Sequence, residues 1–164
     1  PYAESQLEAK SYFDRVSDAY LERLEKLTID QVRVGQQQPE SDHGIQSSNA
    51  TTGAQNGTPW REATGWFSYQ LRQSSGDAKS LYIQYFPDGE YDYNIAINGV
   101  QVARLIADQN ASGLQQRTIA LPKELQANTD LLVRVEANSG NKTAKLTNIR
   151  LLRNNRTDAP ASNF

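Results

Sequence analysis

The sequence predicts a mainly β fold: an antiparallel two-sheet β-sandwich of jelly-roll type, preceded by one long N-terminal α-helix. Three observations carry this expectation. From Thr64 onward, apolar and polar residues alternate in short runs, the period of a pleated strand with one face buried. Turn residues separate the runs, most clearly the Asn98-Gly99 pair, which suits a two-residue hairpin because both positions must accept positive φ. Only the first thirty residues carry a helical period, and no second such pattern follows.

In the segment SQLEAKSYFDRVSDAYLERLEKLTIDQ, residues Phe13, Val16, Tyr20, Leu24 and Leu27 recur at three- and four-residue steps, the spacing of one helical face. Good helix formers fill the rest, without Gly or Pro. The spacing predicts a helix over about residues 5–28, roughly 36 Å long at 1.5 Å per residue. A stripe of that length needs a surface to lie on; if this chain does not supply it, the surface belongs to a missing remainder of the protein or to a second copy.

Residues 36–60 (QQQPESDHGIQSSNATTGAQNGTPW) are rich in Gln, Ser, Asn, Thr and Gly. Two readings stand: a low-complexity linker, or a structured functional loop stiffened by Pro39, bearing Glu40, Asp42 and His43 and ending in Trp60. Strands are then expected in TGWFSYQL, SLYIQYF, YDYNIAI, VQVARLI, QRTIALP, DLLVRVEA and AKLTNIRLL, six to eight in all. The domain reading is a linker helix over 1–34, a sandwich over 35–153, and a C-terminal tail over 154–164 without periodicity.

Composition excludes several classes. The 164 residues carry 17 basic and 19 acidic side chains, a net charge of −2, which argues against a dedicated nucleic-acid surface or a polybasic membrane surface. No stretch approaches the roughly 20 apolar residues of a membrane span, and no signal-peptide pattern opens the chain. With no Cys, disulfides, thiolate nucleophiles and Cys-ligated zinc are out. The chain starts at Pro1 and lacks Met, which reads as a piece of a longer protein.

Candidate chemistry is sparse. The single histidine, His43, has no GxSxG elbow to serve, and no glycine-rich phosphate loop is present. Glu40, Asp42 and His43 lie within four residues, too close in sequence to form a tetrahedral metal site alone. Asp88, Glu90 and Asp92 in the PDGEYD turn have the odd spacing of a calcium loop; the competing reading is a solvated acidic turn. Glu62 with Glu40 or Asp42 could be imagined as a glycosidase carboxylate pair, against salt-bridged loop residues.

Aromatics are the better lead. Trp60, Trp66, Tyr69, Tyr82, Tyr85, Phe86, Tyr91 and Tyr93 fall within 35 residues. Phe67, Tyr69 and Leu71 should face the core, leaving Trp66, Tyr82 and Phe86 outward among Gln70, Gln84 and Asn94. Flat rings beside amides suit sugars, which offer an apolar C–H face and a fringe of hydroxyls. The alternative is packing against a second sheet or another domain.

The run VRVGQQQPESDHGIQS, followed by WREATGWFSYQL and more loosely by LLVRVEANSGN and IRLL, resembles the C-terminal region of bacterial proteins of glycoside hydrolase family 127, the β-L-arabinofuranosidase-like enzymes. The resemblance covers about residues 10–152. It implies that Phe13–Leu27 is an exit helix from a catalytic toroid outside this chain, and that the remainder is an accessory, carbohydrate-binding-module-like sandwich. The family's centre, a zinc-bound cysteine cluster with a glutamate, finds no counterpart in a chain without Cys.

The expectation is therefore a non-catalytic accessory domain of a secreted bacterial glycoside hydrolase acting on arabinose-containing glycans. Trp60, Arg61 and Trp66 would contact sugar, with Glu40, Asp42 and His43 as polar partners. No cofactor is expected beyond a possible Ca2+. The partners would be the parent's catalytic domain and an oligo- or polysaccharide, in an extracytoplasmic setting with which five N-x-S/T sequons, at Asn49, Asn56, Asn110, Asn141 and Asn155, are consistent. Two rivals are a purely structural buttress, in which the PESDH segment and Trp60 fold inward as a plug, and a small stand-alone glycosidase.

Overall fold

The computed structural model describes residues 18–74 and 76–153. Within them the chain runs α1 (18–27), β1 (Thr28–Arg33), α2 (Gln37–Asp42), β2 (Gln46–Gln55), β3 (Thr58–Arg72), β4 (Ser80–Phe86), β5 (Asp92–Ile97), β6 (Val100–Ile106), β7 (Gln115–Ala120), α3 (Lys123–Gln126), β8 (Asp130–Ala137) and β9 (Lys145–Leu152). Every strand pairing is antiparallel. One layer has the order β2-β3-β8-β5-β6 and the other β1-β9-β4-β7, and a single pair, Arg61 with Leu146, joins them through β3 and β9. The expected mainly β sandwich is the fold observed.

The alternation predicted from sequence sets the core. Phe67, Tyr69 and Leu71 of β3 meet Leu81, Ile83 and Tyr85 of β4, Tyr93, Ile95 and Ile97 of β5, and Ile149 and Leu151 of β9 in one buried cluster. Edge contacts between rings knit it, with Phe67 and Tyr69 at 5.9 Å and Tyr85 and Tyr91 at 6.1 Å between centroids, the geometry aromatic quadrupoles favour. The β5–β6 turn is the expected one: Asn98 and Gly99 have φ of 50° and 83° between the paired Ile97 and Val100.

Four expectations are corrected. First, residues 36–60 are neither linker nor loop: they fold as α2, β2 and the start of β3. β2 is exposed along most of its length and so has no apolar alternation to display. Its register comes instead from a second hairpin at Asn56-Gly57, with φ of 51° and 78°, which leaves Gln55 opposite Thr58 and carries β3 upstream of Thr64.

Second, the sandwich begins before residue 35. β1 pairs with β9 from Thr28 to Arg33, and Val32 and Val34 are fully buried in the core.

Third, the helical stripe has a surface to lie on within this chain. Leu24 and Leu27 pack on Tyr82 and Leu152, with Tyr20 alongside. The helix stops at residue 27, where the Thr28 hydroxyl donates to the Leu24 carbonyl at 2.6 Å and the backbone turns into β1. Phe13 and Val16, and the tail over 154–164, lie outside the described residues.

Fourth, the outward aromatics do not share a face. Trp66 stands on the β2-β3-β8-β5-β6 layer, while Tyr82 is buried under α1 on the other layer and Phe86 is also buried.

Candidate functional site

Glu40 is the most tightly held of the predicted polar residues. Gly35 permits the approach: its φ is +83°, and a Cβ there would meet the Trp60 backbone nitrogen at 2.7 Å, so the turn before α2 lies directly on β3. The short helix then points Glu40 inward at 4% exposure. Its carboxylate accepts from Arg61 Nε at 2.8 Å and Arg61 Nη2 at 2.9 Å, from the Tyr69 hydroxyl at 2.5 Å, and from the Gly35 N–H at 3.1 Å.

Burial acts to raise the Glu40 carboxyl, but Arg61, Tyr69 and the Gly35 N–H outweigh it and hold the group below the usual carboxylate value. Burial and then the Glu40 charge push the Tyr69 phenol far up. A carboxylate kept ionised, enclosed and fully bonded makes a poor proton donor near neutral pH and has no open side for a ligand. The geometry thus reassigns Glu40 and Arg61 from sugar contacts to a buried ion pair that pins α2 to β3.

The other two members of the PESDH cluster diverge from it. Asp42 is exposed and accepts from Gln38 Nε2 at 2.8 Å. His43 is strung between the Pro39 carbonyl at 2.7 Å and Asp30 Oδ1 at 2.8 Å. Asp30 in turn accepts from the Arg72 N–H at 2.9 Å, so His43 ties α2 to β1 and, through Asp30, to the end of β3. Three residues expected to converge on one ligand instead serve three different attachments.

Trp66 keeps an outward position. Strand register aligns Ser48, Trp66, Glu136, Asn94 and Arg104 in one cross-strand row, and Gln46, Ser68, Arg134 and Ala96 in the next. The half-buried indole carries the Arg134 guanidinium over its ring at 4.1 Å from the centroid, a cation–π contact. Glu136 holds that guanidinium at 3.1 Å and 3.3 Å. Next along, Asn94 Nδ2 donates to Asn138 Oδ1 at 2.9 Å, and Asp92 accepts from Arg104 at 2.7 Å and from Asn138 at 2.6 Å. The Gln70 side-chain carbonyl oxygen on the same layer is buried without a hydrogen-bond partner.

Trp60 is half-buried across its cross-strand partner Gly53, where a Cβ would meet Cζ2 at 2.5 Å, and Lys145 Nζ stands 4.9 Å from its centroid. Six residues of strand, roughly 20 Å, separate it from Trp66, so the two rings cannot serve one monosaccharide. Arg134 and Glu136 escaped the sequence reading because they lie seventy residues from Trp66; only the β3–β8 register places them beside it.

The acidic turn does not close on itself. Asp88 accepts from Gln55 at 2.7 Å, Glu90 is exposed, and Asp92 opens β5 in its pair with Arg104. Among the described residues no three His, Cys, Asp or Glu side chains are grouped to hold a metal. Glu62 faces Lys142 at 3.5 Å rather than another carboxylate. No helix among the described residues is long and apolar enough to cross a membrane.

Comparison with known proteins gives the fold a setting. A family 35 carbohydrate binding module from an environmental isolate is similar at 16% identity and a TM-score of 0.56, over 71% of this chain and 91% of that one. A Podospora anserina β-(1,4)-mannanase of the GH26-CBM35 type is similar at 16% identity and a TM-score of 0.50, over 77% of this chain and 28% of the enzyme. A cycloisomaltooligosaccharide glucanotransferase from Paenibacillus sp., complexed with cycloisomaltoheptaose, is similar at 12% identity and a TM-score of 0.50, over 74% of this chain and 18% of that one. The fold is therefore that of the carbohydrate-binding-module sandwiches. No curated protein matches the sequence. A family model described as a family of unknown function, DUF6805, matches residues 23–152.

Proposed function

We propose that this chain, which belongs to the family of unknown function DUF6805, is a non-catalytic carbohydrate-binding accessory domain. The observation that carries this reading is Trp66: a half-buried indole, stacked with Arg134 that Glu136 holds, on the outer face of a sheet whose same row supplies Ser48 and Asn94 and whose next row supplies Gln46. Once Arg134 swings off the ring it covers, such a face offers an aromatic surface for sugar C–H groups and amide and hydroxyl groups for the hydroxyls. The likeness of the sandwich to a family 35 carbohydrate binding module supports it.

The finer reading follows the resemblance described above. The parent is a secreted bacterial glycoside hydrolase of the family 127 type, the glycan contains arabinose, and α1 is the link to the catalytic domain. Trp66 is the central contact, with Trp60 a second, distant one and Asp42 and His43 peripheral.

Calorimetric titration against arabinan, arabinoxylan, galactan and mannan tests the reading. Saturable heat with an arabinose-containing polymer, abolished by Trp66→Ala in a protein of unchanged circular dichroism, is the expected result. Heat only with the other polymers would retain the binding role and overturn the arabinose assignment. Flat titrations across the panel would overturn both.

A second reading, the structural buttress, is favoured by the Glu40–Arg61–Tyr69 cluster, in which Glu40 of the PESDH segment turns inward while Asp42 stays exposed. On that reading the chain stabilises its parent without touching sugar.

A further inference from the structure

The layer opposite to Trp66 carries a polar groove that the carbohydrate reading does not use. Register across β1, β9, β4 and β7 aligns Arg33, Asn148, Gln84 and Gln116 in one row and Gln31, Arg150, Tyr82 and Thr118 in the next. α1 lies over part of this face, and beside it a cavity of about 220 Å3 opens. Its lining includes Arg33, Arg150, Asn148, Gln84 and Gln36, with Leu24 and Tyr82 as apolar wall. The volume falls below the roughly 300–1,000 Å3 of pockets for drug-sized ligands, a scale suited to a single sugar ring.

Arg150 is the organising group. Only 9% exposed, its guanidinium is held in one orientation on one side: Nε donates to Asn148 Oδ1 at 2.7 Å, and Nη1 donates to Glu25 at 2.8 Å and to Thr28 Oγ1 at 3.1 Å. Asn148, 8% exposed, is itself fixed by donating to the Val32 carbonyl at 3.1 Å. Nη2 of Arg150 makes no hydrogen bond among the described residues, and the side chain lines the cavity.

Arg33, two residues along β1 from Gln31, is exposed at the rim. Gln84 accepts from Thr147 through Oε1 at 3.0 Å, which turns its amide nitrogen toward Tyr82, the neighbour its side chain also bonds, and toward the cavity that both residues line. The groove thus presents two guanidinium groups and amide donors, and its lining contains no carboxylate. Glu25, 56% exposed at its side chain, pairs with Arg150 and also acts on Arg33, so it partly offsets the positive charge of the groove from outside its lining.

We propose that this groove is a second binding site, separate from the Trp66 face, for one anionic sugar residue. The oxyanion, the carboxylate of a uronic acid or a sulfate ester, is taken by Arg150 Nη2 and Arg33. Gln84 and Gln36 meet the ring hydroxyls, and Tyr82 and Leu24 meet its apolar edge. Charge-assisted bonds from a pre-oriented arginine are stronger than neutral ones, and the planar fork suits both oxyanions.

The test is an amide-resonance titration of the full chain with galacturonate, galactose 6-sulfate and neutral galactose. Saturable shifts at Arg33, Gln84 and Asn148 with either anion, at least tenfold weaker with galactose, are expected; which anion binds tells carboxylate from sulfate ester. Arg33→Glu, at an exposed position, should remove the shifts without lowering the melting temperature, and Trp66→Ala should leave them intact. The proposal is overturned if neither anion gives saturable shifts at these residues, if galactose matches the anions, or if the shifts survive Arg33→Glu. Because Trp66→Ala tests only the other face, failure of either site is visible independently of the other.

Discussion

Replacing Glu40 with Gln tests the central polar cluster at nearly constant volume. The native carboxylate is 4% exposed and takes four hydrogen bonds, two from Arg61. In the variant the Arg61 guanidinium, 15% exposed at its side chain, keeps its charge and faces an amide in place of an anion. Removing one partner of a buried pair costs about 3–5 kcal/mol, because the other charge stays desolvated. At about 2–4 °C per kcal/mol for a chain of this size, the melting temperature should fall by about 6–20 °C in a calorimetric scan at neutral pH.

The pH dependence has a definite sign. The folded Glu40 titrates below its usual value of 4.5, so its stabilisation is complete above that value and drains away as the pH falls through the folded value. The gap between wild type and Glu40→Gln should therefore narrow in acid. Pairing Glu40→Leu with Arg61→Met should cost less than the sum of the two single changes. A fall of less than about 2 °C, on the scale just used, or a gap that stays constant into acid, would refute the buried-pair account.

Three further outcomes follow from the geometry. Gly53→Ala places a Cβ 2.5 Å from Trp60 Cζ2; the indole must swing away, at about 1–3 kcal/mol, and its fluorescence should shift to the red. Leu24→Ala empties the contact between α1 and Tyr82; a loss of about 2–5 kcal/mol is expected in urea unfolding, and a negligible loss would show that α1 does not need this surface. Arg104 first, then Asn138, hold the Asp92 carboxyl down to about 2, so its carbon resonance should stay that of the ionised form until the pH approaches that value, while Arg104→Ala should bring the midpoint back toward 3.8.

The strands that bury one face were legible because burial writes a period of two into them: the alternation of Phe67, Tyr69 and Leu71, or of Tyr93, Ile95 and Ile97, leaves little freedom. β2 was not, because an edge strand exposed on most of its surface has no apolar side to reveal; its one cue was the Asn56-Gly57 pair, the same chemistry that announced the Asn98 turn. β1 was absorbed into the helical stripe, since six residues carry too little pattern to mark where one period stops and another starts. Alternation also tells which side of a strand a residue faces, but not which layer the strand joins, and so it cannot separate Trp66 from Tyr82. The partners of Glu40 lie 21 and 29 residues away, and no local rule reaches that far. The plug reading anticipated that Glu40 is buried; its bond to Arg61 needed the fold.

The pairing of β1 with β9 sets how the module bears load. Thr28 stands opposite Leu152, and the Arg153 N–H donates to the Leu27 carbonyl at 2.9 Å, so the chain enters and leaves side by side, about 5 Å apart at neighbouring strands. Tension applied through residues 27 and 153 peels β1 from β9 one hydrogen bond at a time instead of shearing the whole ladder at once. The sandwich therefore adds almost no length between residues 27 and 153. Under force β1 and α1 would come away before the core around Tyr69 and Tyr93 feels the strain.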